Sequence, residues 1–76
     1  MVNLLWVALD LETTGLDPKR DAIIEVAAVR FRGQRTLDTF HSLVNPQRPL
    51  PHRIQRLTGI DSDEVEQAPF LGVVLP

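Results

Sequence analysis

The stretch from Ala22 to Phe31 constrains the fold more than any other. In an extended chain, alternate side chains point to opposite faces. Ile24, Val26 and Ala28 therefore share one side, and Ile23, Ala27, Val29 and Phe31 the other. Both faces are apolar, a pattern that suits a central strand covered on both sides better than one with a wet face. The 76 residues hold one small domain at most, and a chain near this size buries only about 60% of the surface its unfolded form exposes. The expectation is an α/β arrangement of marginal stability.

The rest of the chain supplies partners for that strand. Leu4 to Asp10 is a short apolar run, read as strand one, and it closes on acids separated by one residue. Thr13 to Asp21 reads as a connecting loop, with Gly15 expected to supply unusual backbone angles and Pro18 to restrict Asp17. After Gly33 and Gln34, the residues Thr36 to Val44 read as a third strand, and so short a connection implies antiparallel neighbours. Prolines 46, 49 and 51 end the pairing. Pro51 is placed to open a helix running to about Leu57, closed by Gly59 as a C-cap. Asp61 with Glu64 has the spacing of a capping box and opens a second brief helix that stops before Pro69. The tail from Phe70 to Pro76 is nearly all apolar, with nothing evident in the chain to cover it. It reads as a domain cut part-way, or else as a segment that docks on a partner or a second copy.

Composition narrows the setting. A hydrophobic fraction of 43% with a net charge of −2 fits a folded α/β segment better than a disordered one, since disorder goes with low hydrophobicity and high charge. The small charge neither demands nor excludes nucleic acid, because phosphates are met by local basic patches. Lys19, Arg20, Arg30, Arg32 and Arg35 outnumber Asp21 and Glu25 locally, which suits either such a patch or an ordinary solvated sheet edge. With no cysteine there is no disulfide framework or thiolate site, and the cytoplasm is the expected compartment. The run Leu4 to Leu9 has no Lys or Arg before it and acids directly after it, so it is not read as a signal peptide. It is too short to cross a membrane.

Chemistry centres on Asp10 and Glu12. Positions i and i+2 of a strand project to one face with Cα atoms roughly 7 Å apart, so the two carboxylates can converge. Neighbouring anions repel unless solvent, a proton or a cation intervenes, and hard oxygen donors favour Mg²⁺ or Mn²⁺. Alone, an acid pair of this spacing commonly marks a strand entering a loop. The longer string VALDLETTGLDP delivers the acids into a loop of hydroxyls and exposed amides.

That string resembles the first motif of the DnaQ-like (DEDD) 3′-to-5′ exonuclease family, through Asp10, Glu12, Thr13, Thr14, Gly15 and Leu16. DAIIEVAAVRF is similar to the family's second strand, FHSLVNP to its third, and IQRLTGID to the short helix and loop that follow. The resemblance implies the N-terminal part of an RNase H-like fold, three antiparallel strands plus short helices, and residues 1–76 as a partial exonuclease domain. It implies a two-metal site of Mg²⁺ or Mn²⁺ acting on a nucleic-acid 3′ end, DNA in preference to RNA, with a polymerase or helicase as partner. One ion activates water and the other stabilises the leaving oxygen, with the ions about 4 Å apart. Asp10 would be shared by both ions and Glu12 would bind the nucleophile-side ion. Thr13 would approach the terminal nucleotide, Leu16 would pack on its base, and Leu57 and Thr58 would form the other pocket wall. Residue by residue, the blander roles stay open: core packing for the two leucines and turn formation for the threonines.

The family's second-motif aspartate and its third motif, a His or Tyr followed by a last Asp, are absent from these residues, so the chain alone is expected to be inactive. His41 and His52 have no trailing aspartate at suitable spacing. Glu25, expected nearly level with Asp10, is either a further acid of the site or the partner of an arginine or backbone amide. Two other readings remain: a fragment of a haloacid dehalogenase-type phosphatase, whose nucleophile loop shares the pattern of Asp10, Glu12 and Thr14, and a non-catalytic interaction remnant.

Overall fold

The computed structural model describes residues 4–75. Three strands, β1 (Leu5–Thr13), β2 (Ile23–Arg32) and β3 (Arg35–Leu43), precede three short helices, α1 (His52–Thr58), α2 (Ser62–Glu66) and α3 (Leu71–Val74). The sheet is antiparallel in the order β1-β2-β3. β2 is central, as its two apolar faces require, and Gly33 at φ 60° makes the tight turn into β3. β1 extends past Asp10 to Thr13, so both acids lie within the strand. The one-turn α3 falls in the apolar tail where no element was expected, and the expected tail's last residue, Pro76, lies outside the described residues.

Two irregularities interrupt the strand pairing, one of them beside the acid pair. Between Glu12 and Thr13 the β1–β2 register shifts: Glu12 faces Glu25, and Thr13 faces Ile23. Ile24 is thus the extra residue of a bulge, which bends the strand and ends regular pairing. Its side chain is fully buried and its carbonyl accepts from the Val44 amide at 2.8 Å. A second shift lies between Arg30 and Phe31.

The core gathers at this end. Ile24, Leu50, Ile54, Ile60 and Val65 form one cluster, with Leu43 packed against it. Gly59 takes the left-handed conformation at φ 75° and its amide bonds to the Gln55 carbonyl, ending α1 as expected. The Asp61 amide donates to Glu64 Oε1 at 3.2 Å, the expected capping box of α2. Asn45 joins the tail to the body through its amide to the Pro69 carbonyl and a parallel bridge with Phe70.

Cover on both faces of the sheet is realised only beside this cluster. On β1, Leu5, Val7, Leu9 and Leu11 are exposed on one face and Trp6 on the other. The helices sit at one end of the hairpin, and the far end of the sheet projects from them. The radius of gyration of 14.6 Å accordingly exceeds the roughly 11 Å of a compact chain this long. Among the described residues no helix is long and apolar enough to cross a membrane.

Candidate metal and nucleotide site

Register and alternation place four polar groups on one face of the sheet. Asp10, Ala27 and His41 form one cross-strand row, and Glu12, Glu25 and Leu43 the next. Glu25 is therefore level with Glu12, not with Asp10 as expected, because the expectation took no account of where the bulge falls. Its partner is also different: neither an arginine nor an amide, but His41, whose Nε2 donates to Glu25 Oε2 at 2.5 Å. The His41 side chain is mostly exposed and that of Glu25 half-buried. His41 thus occupies one carboxylate where two would otherwise face each other, an arrangement that costs energy in a sheet.

Asp10 and Glu12 form no ion pair among the described residues. Two same-face carboxylates not engaged by a protein cation fit a hard divalent ion. Among the described residues no three His, Cys, Asp or Glu side chains are gathered as a metal cage.

The loop after β1 is fixed by Asp21. Its carboxylate accepts from the Thr14 hydroxyl at 2.8 Å and from the Asp17 amide at 2.8 Å. The bond from the Asp17 amide, then that from Thr14, holds its pKa below the ordinary carboxylate value, with smaller help from Arg48 and Arg20 against a small opposing effect of burial. Thr14 is buried and spans the loop, its hydroxyl also accepting from the Ala22 amide at 2.9 Å. Gly15 is not at a positive φ. A Cβ there would lie 2.5 Å from Asp21 Oδ2, so glycine is required by close approach rather than by backbone angle.

Beside Glu12 lies a cleft of 590 Å³ with two walls: Glu12, Thr13, Gly15 and Leu16 on one side, and Arg53, Ile54, Arg56, Leu57 and Thr58 of α1 on the other. It brings together five of the residues singled out in the sequence. Asp10 lies two residues back on the same strand face. Leu16 is 101% and Leu57 79% exposed, so neither packs into the core formed by the described residues. Thr13 donates its hydroxyl to the Gly15 carbonyl at 2.5 Å and Thr58 to the Ile54 carbonyl at 2.8 Å; both hydroxyls therefore also serve local structure. Arg53 and Arg56 were not singled out. The signal was present, since positions three apart share a helix face, but which face meets β1 depends on tertiary packing.

The antiparallel opening sheet with an acid pair on its first strand matches the front of an RNase H-like fold, as comparison with solved 3′-exonucleases shows. Two solved structures superpose closely on it. One is a full-length 3′-exonuclease, with TM-score 0.84 and 28% identity over 99% of this chain and 27% of that one. The other is a 3′-exonuclease described as recognising the 3′ end of a histone mRNA stem-loop, with TM-score 0.83 and 30% identity over 96% and 28%. The RNase T family model, an exonuclease family, matches residues 7–76, and the chain belongs to that family. Similar proteins include the PolC-type DNA polymerase III of Caldanaerobacter subterraneus, 46% identical over 93% of this chain and 5% of the polymerase. That of Bacillus subtilis is 47% identical over 84% and 4%. A putative bifunctional exonuclease/endonuclease of Mycobacterium tuberculosis is 45% identical over 93% and 12%. The chain thus spans a small part of the relatives it matches. The dehalogenase-type phosphatase reading receives no support.

Proposed function

We propose that this chain supplies the first metal-binding strand and one nucleotide cleft of a 3′-to-5′ exonuclease domain, of which residues 1–76 are the front portion. The observation that carries this is the convergence of Glu12, Thr13, Leu16, Leu57 and Thr58 on one cleft, with Asp10 on the same strand face as Glu12. Asp10 and Glu12 would hold the ions, Mg²⁺ or Mn²⁺ by the chemistry of their donors. When bound, two such ions supply an activated water and charge for the leaving oxygen.

The chain's own residues do the positioning. The bulge at Ile24 sets Glu12 at the cleft mouth, and the Asp21-braced loop holds Leu16 out as an apolar surface on which a terminal base stacks. Leu57 faces it from α1, so a base enters between two exposed leucines. The PolC-type relatives favour DNA over RNA as substrate and a replicative polymerase as partner, in an intracellular setting. The remaining ligands of the site come from outside these residues, and the isolated chain is inactive in this reading.

Titration of the full-length polypeptide with Mn²⁺ tests the ligand assignment. Asp10→Asn and Glu12→Gln are expected to weaken binding at least tenfold, whereas Glu25→Gln, whose carboxylate is engaged by His41, stays within about twofold. Unchanged binding in the first two variants would overturn the assignment, and a large loss in the third would add Glu25 to the ligands.

A further inference from the structure

The arginines of this chain divide by what they touch. Arg30 forks onto both oxygens of Asp38, at 3.0 and 2.8 Å. Arg20 lies 3.7 Å from Asp17, and Arg48 donates to the carbonyls of Pro46 and Arg20. Arg53 and Arg56, like Arg32 and Arg35 at the hairpin turn, have no ion-pair partner among the described residues, and what sets them apart is that they line the same cleft as Glu12. They stand three apart in α1, on the face that carries Leu57, and are exposed. Two guanidinium groups on one wall of the cleft make that wall attractive to an anion, while the Glu12 carboxylate on the other wall repels one unless a cation lies between.

We infer that Arg53 and Arg56 bind a phosphate of the substrate strand other than the one being cleaved. The inference rests on the exonuclease reading, which puts a nucleic-acid 3′ end in this cleft. The cleaved phosphate belongs beside Asp10 and Glu12 on the β1 wall. The arginines occupy the α1 wall, so the strand's next negative charge is the group within their reach. Guanidinium suits the task, because its planar fork matches phosphate oxygens and its charge does not titrate. The pair fixes the direction in which the strand leaves the cleft, independently of the metal ions.

The test measures binding of a short thymidine oligonucleotide to the full-length polypeptide in chelator, across a range of salt. Each phosphate contact on a single strand contributes about 0.7 to the slope of log affinity against log salt. Arg53→Gln with Arg56→Gln is therefore expected to reduce the slope by about 0.7 for one shared phosphate, and up to about 1.4 if each arginine meets its own. Replacing the non-scissile linkages by neutral methylphosphonates should erase the difference between wild type and variant. Arg32→Gln with Arg35→Gln, at the far hairpin turn, should leave the slope unchanged. Both arginine pairs are exposed, where substitutions disturb folding little. Equal slopes for wild type and the Arg53/Arg56 variant, in a protein that still releases 3′ nucleotides with Mg²⁺, would overturn the phosphate site alone. A reduced slope in the variant of a protein that releases none would overturn the exonuclease reading and keep the phosphate site.

Discussion

Asp21 is the residue on which the loop after β1 depends. It occupies the space that a side chain at position 15 would need, and its carboxylate is held in place by Thr14 and the Asp17 amide. Gly15→Ala must push that carboxylate away and break both bonds, at a cost of about 1–3 kcal/mol, read as a lower urea midpoint. The lowered pKa of Asp21 gives the same contact a pH signature. A carboxyl group whose pKa is depressed on folding contributes stability that is complete above its unfolded value, about 3.9, and is lost as pH falls through the folded one. The stability difference between wild type and Asp21→Asn should be constant above about pH 5 and shrink below about pH 4; a difference that grows in acid would contradict this. Asp10 and Glu12 were legible in the sequence because strand alternation alone puts them on one face. The Glu25–His41 contact was not, since it depends on the β2–β3 register set by the turn at Gly33 and the shift between Arg30 and Phe31. Gly15 was marked as special for the wrong physical reason: its neighbour in space is six residues away in the chain.

At the scale of elements, β2 organises everything else. Its two apolar faces predicted a central position, and the short turn after it predicted antiparallel order; both hold. The ends of α1 and the start of α2 were legible because capping chemistry is local. The extension of β1 through the acids and the single turn of α3 were not, because pairing with β2 carries the one and the anchoring of Asn45 to Pro69 and Phe70 accompanies the other. Ile24 ties the bulge to the helices, being fully buried in the cluster with Leu50, Ile54, Ile60 and Val65. Ile24→Ala is expected to cost about 2–5 kcal/mol, a large share of the roughly 4–11 kcal/mol available to a chain this long. Denaturant unfolding followed by circular dichroism measures it. Phe40→Ala, on an exposed stretch of β3, should cost far less, and equal losses at the two positions would show that the core lies elsewhere.

As a whole molecule, the chain is an extended hairpin sheet with its core, its acid-bearing strand and its cleft gathered at one end. The bulge brings the core and the acid pair to one end of the sheet, since Ile24, buried in the core, lies beside Glu25, which faces Glu12. The apolar residues on both faces of β1 and the small share of its relatives that the chain spans fit the front of a larger exonuclease domain. The most direct test is release of mononucleotides from the 3′ end of labelled single-stranded DNA by the full-length polypeptide, with and without Mg²⁺. The account predicts stepwise release that requires the ion and falls by more than about 100-fold in Asp10→Asn and in Glu12→Gln, beyond the loss typical of disturbing an outer partner of a metal site. Release that persists in both variants, or that proceeds equally without a divalent ion, would contradict it.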